Sequence, residues 1–378
     1  MRILLAHSYT DNYGGGELLA LRAYQALEEA GYDVTFYTAQ EPDRGRLYEL
    51  FEVDVGKLNV EVSHAGRLLE ATGRATGGRF VRLRRYVQSV HLKKELKSLR
   101  NQYDLILETQ AGIPLKGVDL SYIHFPSVLP TSKRMSPPRR LYDWLMRNLV
   151  WGIRGTPRLV LTNSRWTAGV IARTYGVRAQ VLHPPVDVEY FSNRNLERRP
   201  IVATVTRLTV EKGLEDIVDV AYRLPDYRFV IAGSYVTDTP RVRSLIYGRM
   251  GRRGVKNVDV QPNLLRSGLR LLLYYADFYL HPPFAEHFGI SVAEAVSAGC
   301  IPVVYRDGGA WTDIVRPIWS GLGYRSLAEV PGIIREVEAD PELRLELRLR
   351  CWKHSQNFTY KSFRDGLLKH IKTLLVKG

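Results

Sequence analysis

Short apolar runs alternate with helical stretches along most of the chain, and this alternation constrains the fold more than any other feature. The chain opens with an apolar run over residues 2–7, a polar loop, and a helical stretch over residues 17–30 that Gly31 ends. A second apolar run, residues 33–39, follows directly. This order predicts a β-α-β unit, in which two parallel strands are joined through a helix.

The same alternation continues through both halves of the chain. In the first half, further strands are predicted at residues 105–108, 120–124, 159–163 and 180–182. In the second half, strands are predicted at residues 201–206, 229–232, 258–261, 278–281 and 301–305, and helices from Lys212, around 264–275 and over 291–298. Strands that alternate with helices form parallel sheets covered on both faces, so we expect an α/β fold with two doubly wound, Rossmann-like sheets.

The alternation is interrupted once, at His183-Pro-Pro-Val-Asp187, after which the sequence stays polar and proline-bearing up to Pro200. At 378 residues the chain is long enough for two domains with separate cores. We therefore expect an N-terminal domain over residues 1–195 and a C-terminal domain over residues 196–355. Apolar residues at helical spacing in residues 356–378 predict a last helix that packs across both domains.

The composition favours a cytoplasmic protein. The two cysteines, Cys300 and Cys351, cannot build a disulfide framework, which fits a reducing compartment. No stretch approaches the roughly 18 uninterrupted apolar residues that a membrane-spanning helix requires. We therefore do not expect an integral membrane protein.

About half of the net charge of +15 lies in one segment, residues 66–102, which holds ten Lys or Arg against two Glu. Apolar side chains such as Phe80, Val81 and Leu83 are interleaved with the cations, as in segments that lie at a membrane interface. We expect this segment to contact an anionic membrane surface; a solvated helical face is the alternative. Nucleic acid is disfavoured, since no helix-turn-helix, zinc-finger or RNA-recognition signature accompanies the charge.

A loop of three glycines, Gly14, Gly15 and Gly16, lies between the first predicted strand and the first predicted helix. The N–H groups and the positive dipole end of a helix start attract anions, so this loop is a candidate diphosphate contact. The contiguous glycines lack the G-x-G-x-x-G spacing of nicotinamide-binding folds. A flexible turn into the helix is the alternative.

Two cations, Arg207 and Lys212, follow the first predicted strand of the second half. Cations at the carboxyl end of a parallel strand are well placed to neutralise a diphosphate leaving group. Ordinary solvated surface side chains are the alternative.

Two glutamates lie in the string HPPFAEHFGISVAEAVSAGCIPV, which covers residues 281–303. Glu286 falls in the loop after a predicted strand, and Glu294 falls in the helix that follows. Gly289 permits close approach of the backbone to a ligand, and the N–H groups near Phe288, Gly289 and Ile290 would form a second phosphate-binding helix start. A charged helix face that serves solubility is the alternative.

These features together resemble the retaining glycosyltransferases of the GT-B fold, specifically glycosyltransferase family 4. The resemblance rests on the E-x-F-G-x-x-x-x-E string from Glu286 to Glu294, the Arg207/Lys212 pair, residues 14–16 and the string PPVD at 184–187, and it covers roughly residues 1–355. It implies transfer of a hexose from a nucleotide sugar with retention of configuration, in a cleft that two Rossmann-like domains face.

The resemblance also implies a role for each candidate residue. Arg207 and Lys212 would hold the donor diphosphate, and Glu294 would bond the nucleotide ribose. Glu286 would contact the donor sugar hydroxyls near the reacting carbon. His124, in the string SYIHFP, matches a histidine near the sugar in several members; a histidine that caps a strand end is the alternative.

Three strings, YIHFP at 122–126, EHFGI at 286–290 and IPV at 301–303, are most similar to the lipid-linked-oligosaccharide α-1,2-mannosyltransferases. This similarity implies GDP-mannose as donor and a glycan or polyprenyl-linked glycan as acceptor. Two departures bear on the nucleotide pocket. Thr206 stands where the family usually has glycine, and Gly233-Ser-Tyr235 stands where the family has a glycine-rich turn.

No Asp-x-Asp string occurs in the chain, so we expect no metal cofactor, and cations and helix starts would meet the charge of the leaving group. Four other functions stay open. They are a UDP-sugar-dependent glycosyltransferase for another polysaccharide or glycolipid, a sugar-nucleotide epimerase of the same fold, a glycosidase, and a non-enzymatic module that binds membrane or nucleic acid. An epimerase would turn over donor without acceptor, and a glycosidase would need two carboxylates but no phosphate-binding features.

Overall fold

The computed structural model describes residues 1–11, 14–64, 94–129, 154–193 and 197–376. The chain divides into two compact units. The first comprises Met1–Asn163, Thr167–Pro185 and Phe363–Gly378, and the second comprises Ser164–Trp166 and Val186–Ser362. Most of the basic segment predicted to meet a membrane lies outside the described residues. Among the helices that the structure does describe, none is both long and apolar enough to cross a bilayer.

The first unit is built on a parallel sheet. Its described strands are β1 (Arg2–Ala6), β2 (Asp33–Thr38), β3 (Val60–Val62), β4 (Leu105–Glu108), β5 (Leu120–Ile123), β6 (Leu159–Thr162) and β7 (Gln180–Val181). They pair in the order β3-β2-β1-β4-β5-β6-β7. Helices α1 (Gly15–Glu29), α2 (Arg44–Phe51) and α3 (Arg165–Tyr175) lie between strands in the sequence.

The second unit is built on another parallel sheet. Its described strands are β8 (Arg199–Val205), β9 (Arg228–Gly233), β10 (Val258–Pro262), β11 (Ala276–Leu280), β12 (Ile301–Tyr305) and β13 (Gly323–Tyr324), in the order β10-β9-β8-β11-β12-β13. The α-helices are α4 (Val188–Phe191), α5 (Ile217–Arg223), α6 (Thr239–Arg253), α7 (Arg266–Tyr275), α8 (Ile290–Ser297), α9 (Val330–Ala339) and α10 (Pro341–Ser355).

Both sheets have central strands that are buried on both faces, because helices cover the two sides of a parallel sheet. Ile3, Leu4 and Leu5 of β1 are fully buried, as are Phe278 and Tyr279 of β11. The predicted α/β fold with two parallel, doubly wound sheets is confirmed.

The strand order reverses once in each sheet, and this reversal places the candidate sites. In the first sheet the chain leaves β1 toward β2 and later returns to pair β4 on its other side. In the second sheet β8 separates β9 from β11 in the same way. At such a reversal the loops after the two central strands diverge, and ligands bind in the crevice that opens at the carboxyl ends.

Two local predictions differ from the structure. A helix was predicted from Lys212, whereas Val210–Lys212 and Leu214–Asp216 form separate 3₁₀ turns and α5 begins only at Ile217. Gly213 joins the turns at φ +59°, a left-handed conformation that no continuous helix contains. Helix α6 was not predicted, because only Thr239, Val242 and Ile246 are buried among its many arginines and the apolar periodicity is weak.

The last helix, α11 (Tyr360–Val376), runs close to the predicted limits. From Phe363 onward it belongs to the first unit, where Arg158 donates a hydrogen bond to the carbonyl of Leu374 at 2.5 Å. Its apolar residues Phe363, Leu367 and Ile371 are buried. Packing of this helix across both domains stays a prediction.

Candidate active site

The two predicted cation positions follow β8 at the reversal of the second sheet. Arg207 is exposed, two residues beyond the end of the strand, and Lys212 ends the first 3₁₀ turn. Lys212 is 5% exposed, and its Nζ lies 3.2 Å from Oε2 of Glu286 and 3.8 Å from the centre of the Phe284 ring. A buried ammonium group is stable only with such partners. The fold therefore joins the cation turn to the glutamate loop.

Glu286 lies in the loop after β11, as the sequence predicted. Burial raises the pKa of its carboxyl group, but the bond from His281 and the charge of Lys212 outweigh burial and hold that pKa well below its ordinary value. Nε2 of His281 lies 3.6 Å from Oε2 of Glu286, and Nδ1 lies 2.9 Å from the carbonyl oxygen of Pro282. Glu286 is thus an ionised hydrogen-bond acceptor at neutral pH.

The pKa of His287, the next residue, responds to the same group of charges. Burial lowers the pKa of its imidazole, the charges of Lys212 and Arg207 lower it further, and Glu286 partly opposes them. The ring is therefore neutral at physiological pH. The structure thus brings the charges of Arg207, Lys212 and Glu286 together at His287. In the sequence, strands β9, β10 and β11 lie between Arg207 and Glu286.

Two glycines that sequence reasoning missed hold the backbone of this loop. Gly309 donates its N–H to the Glu286 carbonyl at 2.6 Å, and Gly308 pairs with Glu286 in a parallel bridge. A Cβ at Gly308 would lie 2.5 Å from the Glu286 carbonyl oxygen, and one at Gly309 would lie 2.0 Å from the His287 carbonyl oxygen. The sequence signal for this contact is the string RDGGA at residues 306–310, which follows directly after a buried strand and contains two adjacent glycines.

The predicted helix start at the glutamate motif is present. Gly289 adopts φ +98° and precedes Ile290, the first residue of α8. A Cβ at Gly289 would lie 3.0 Å from the Cβ of Ala310, so packing and conformation both require glycine. Phe288 is buried, with its ring centre 5.3 Å from that of Phe358, and anchors the loop. The first N–H groups of α8 have no carbonyl partner within the helix and remain donors for a ligand.

Glu294 lies in α8, about one turn beyond the helix start at Ile290. Burial raises the pKa of its carboxyl group to about 7, Arg266 offsets part of the rise, and Asp187 adds to it. Nη2 of Arg266 lies 2.5 Å from Oδ2 of Asp187. Burial also raises the pKa of the Tyr279 hydroxyl, and the charges of Glu294 and Glu286 both add to that rise, so both carboxylates lie near this tyrosine.

The environments of the two glutamates push their pKa values in opposite directions. The lowered pKa of Glu286 keeps it ionised at neutral pH, whereas the raised pKa of Glu294, about 7, lets its charge change there. Such divergence between neighbouring acids is typical of sites that use them for different tasks.

The first unit brings together the other predicted residues. The sequence predicted a loop at Gly15 and Gly16, but these glycines are the first residues of α1. The N–H of Gly14, just before the helix, donates to Oε2 of Glu17 at 2.9 Å. A Cβ at Gly16 would lie 3.6 Å from Nε2 of His124. That nitrogen lies 3.0 Å from the carbonyl oxygen of Thr109. The glycines and His124 therefore meet at the reversal of the first sheet.

Comparison with known proteins agrees with this geometry. The sequence model of Glycosyltransferase Family 4 matches residues 13–190, and that of Glycosyl transferases group 1 matches residues 187–347. Anabaena HepE in complex with UDP-glucose superposes with a TM-score of 0.70 over 99% of this chain and 100% of that chain, at 16% identity. Sucrose-phosphate synthase from Thermosynechococcus elongatus superposes with a TM-score of 0.71 over the whole of both chains, at 15% identity.

Curated relatives support the same class. The alpha-1,3/1,6-mannosyltransferase ALG2 of Kluyveromyces lactis is 31% identical over 383 residues, which cover 86% of this chain and 73% of that protein. The GDP-Man:Man(3)GlcNAc(2)-PP-Dol alpha-1,2-mannosyltransferase of Dictyostelium discoideum is 26% identical over 278 residues, 68% of this chain and 55% of that protein. The match thus spans about half the length of this second relative.

Fold, site and relatives define a glycosyltransferase with two parallel-sheet domains of the GT-B type. The chain belongs to glycosyltransferase family 4, as its motifs predicted.

Gly309→Ala tests the backbone contact that holds the glutamate loop. The new methyl group would meet the His287 carbonyl oxygen, so we expect a loss of about 1–3 kcal/mol in the free energy of unfolding. Gly332→Ala in α9 is the matched control, because nothing lies within 4 Å of its Cβ position; it should stabilise by about 0.5–1 kcal/mol. Denaturant unfolding measures both. Equal effects of the two substitutions would contradict the contact.

Glu294→Gln tests the raised pKa of that carboxyl group. Because the folded protein holds this proton up to about pH 7, whereas the unfolded chain releases it near its ordinary value of 4.5, wild-type stability should fall as pH rises between these values. The variant should lack this part of the fall, at most about 3 kcal/mol. Denaturant unfolding at about pH 4.5 and about pH 8 measures it, with Glu336→Gln on the exposed face of α9 as control. An unchanged pH dependence would argue against a buried, protonated Glu294.

Proposed function

We propose that this glycosyltransferase moves mannose from GDP-mannose to a lipid-linked glycan, with retention of configuration and without a metal ion. The observation that carries the proposal is the charge cluster at the reversal of the second sheet. There Lys212 contacts Glu286, the charge of Arg207 reaches the neighbouring His287, and α8 begins four residues beyond Glu286.

The cluster has the composition that departure of a nucleoside diphosphate requires. As the glycosidic bond breaks, negative charge develops on the diphosphate, and fixed cations stabilise this charge without reorganisation. Lys212 is held at 3.2 Å from Glu286 and stacked on Phe284, so its ammonium group is positioned before a donor binds. Arg207 is exposed, and its charge acts on His287, as does that of Lys212. These two charges and the N–H groups of α8 would together meet the diphosphate in place of a metal.

The carboxylates would orient the rest of the donor. Glu286 is ionised and can accept hydrogen bonds from sugar hydroxyls near the reacting carbon. Glu294 would bond the ribose hydroxyls. His124 of the first unit would contact the sugar, and the acceptor hydroxyl would pass its proton to a phosphate oxygen as it attacks from the side of the leaving group.

The choice of donor and acceptor rests on the relatives. The Dictyostelium relative is named for GDP-mannose and a dolichyl-diphosphate glycan, and ALG2 is named a mannosyltransferase. A polyprenyl-linked acceptor is embedded in a membrane, so the enzyme would work as a peripheral protein on the cytoplasmic face. The basic segment, residues 66–102, would supply the contact with anionic lipid.

Calorimetric titration with GDP, UDP, ADP and their sugar conjugates, in EDTA and then in Mg²⁺, tests the donor. We expect preferential binding of GDP-mannose that EDTA does not weaken.

Lys212→Ala should lower mannosyl transfer by roughly 10²-fold or more, because the leaving group loses a fixed cation. Lys353→Ala, an exposed lysine of α10, is the matched control and should transfer normally.

Each other outcome has a definite meaning. Preference for a uridine or adenosine donor would discard the GDP-mannose assignment and retain the class of enzyme. Normal transfer by Lys212→Ala would contradict the role of the cation. Turnover of the donor to an epimer without acceptor would replace the transferase proposal.

Sedimentation with vesicles tests the membrane contact. Reversal of charge at Arg82, Arg84 and Arg85 to Glu should abolish most binding to vesicles that contain phosphatidylserine, because each basic residue near such a surface contributes about 1 kcal/mol. Hydrolysis of soluble donor should not change. Reversal of charge at Arg241, Arg243 and Arg252, exposed on α6, is the control. Equal loss of binding in both variants would show that net charge, and not residues 66–102, is responsible.

A further inference from the structure

Four polar residues form a continuous row along the carboxyl edge of the first sheet. Each is the first residue after its strand: His7 after β1, Thr109 after β4, Asn163 after β6, and His124 after β5. These strands are neighbours in the order β1-β4-β5-β6. The row therefore crosses the reversal of strand order, where parallel sheets bind ligands.

Hydrogen bonds join the row from end to end. Nδ1 of His7 lies 2.9 Å from Oγ1 of Thr109. Nε2 of His124 lies 3.0 Å from the main-chain oxygen of Thr109, and Nδ2 of Asn163 donates to the main-chain oxygen of His124 at 2.9 Å. Because a carbonyl oxygen only accepts, Nε2 of His124 must carry a hydrogen, and the row sets both the ring orientation and its tautomer.

Glu17 anchors the free end of the row. It is 3% exposed, and its Oε1 lies 3.9 Å from Nε2 of the fully buried His7. Burial raises the pKa of the Glu17 carboxyl group, but the contacts with His7 and with the N–H of Gly14 outweigh burial and lower the pKa overall. The carboxylate is thus ionised; it accepts a hydrogen bond from Gly14 at the start of α1 and lies at ion-pair distance from His7.

We propose that Glu17, His7 and Thr109 are positioning residues, which act on His124 through the main-chain oxygen of Thr109 and on the glycine start of α1 through Glu17. The inference rests on the proposed function, in which His124 meets the donor sugar. Buried polar groups are expensive unless fully bonded, and apolar residues of the same size would pack this edge at least as well. A role in fixing the position of the His124 imidazole explains why these polar groups are buried here, since small displacements of a reacting group lower the rate by large factors.

Thr109 offers the sharpest test, because two substitutions separate its hydroxyl from its shape. Thr109→Val keeps the branched shape and removes Oγ1, so Nδ1 of His7 loses its partner. We expect kcat to fall roughly 10-fold to 100-fold while the dissociation constant of the nucleotide stays unchanged. Thr109→Ser retains the hydroxyl and should restore most of kcat.

Imidazole ¹⁵N spectra supply a readout that needs no substrate. The wild-type spectrum, with the His124 signal assigned from its absence in His124→Gln, should show hydrogen on Nε2. Thr109→Val and Glu17→Gln should shift this signal, because the main chain of Thr109, which accepts from Nε2, is no longer held through His7; Thr109→Ser should not shift it. Tyr24→Phe is the control, since it removes the hydrogen bonds of another buried α1 side chain, to Asn59 and Lys57, that do not join the row.

The outcomes distinguish this inference from the proposed function. An unchanged His124 signal and kcat in Thr109→Val would overturn the inference, as would a failure of Thr109→Ser to restore them. An equal loss of kcat in Tyr24→Phe would show a general effect on stability and would also overturn it. Absence of nucleotide binding by the wild type would instead count against the proposed function, whatever the imidazole spectrum shows.

Discussion

The ion pair between Lys212 and Glu286 is the interaction on which the second-unit site depends. It joins the turn after β8 to the loop after β11, two segments that meet only because these strands are neighbours in the sheet. The buried ammonium group of Lys212 is stable because the partly exposed carboxylate of Glu286 compensates its charge, and removal of Glu286 would leave that charge uncompensated. The pair thus keeps both groups in place, as the proposed contact with a diphosphate requires.

Glycines make this pairing possible at three points. Gly213 turns the chain directly after Lys212, Gly289 starts α8, and Gly308 with Gly309 lets the neighbouring loop touch the backbone of Glu286. In each case the space or the dihedral angle excludes a side chain. The loop that carries Glu286 is therefore defined by close backbone packing as well as by its charges.

The two units place polar residues at corresponding positions of their sheets, but the chemistry of those residues differs. In both, polar residues come directly after buried central strands, at the point where strand order reverses. The second unit concentrates charge there, at Lys212 and Glu286. The first unit instead links neutral and charged groups into a hydrogen-bonded row around His124, an arrangement suited to orienting a ring. Two similar sheets thus present an electrostatic site and an orienting site.

The sequence by itself determined the class of fold, most strand positions and the family, because short buried strands and local motifs leave local signals. Strands β4 and β12 have the predicted bounds, and Glu286 and Glu294 lie in the predicted loop and helix. Only the tertiary structure decided which groups meet. Lys212 and Glu286 are 74 positions apart, and His7 and Thr109 are 102 apart, so strand pairing alone brings them together. The pKa values of the glutamates likewise follow from burial and from partners such as His281 and Arg266, which no local pattern records.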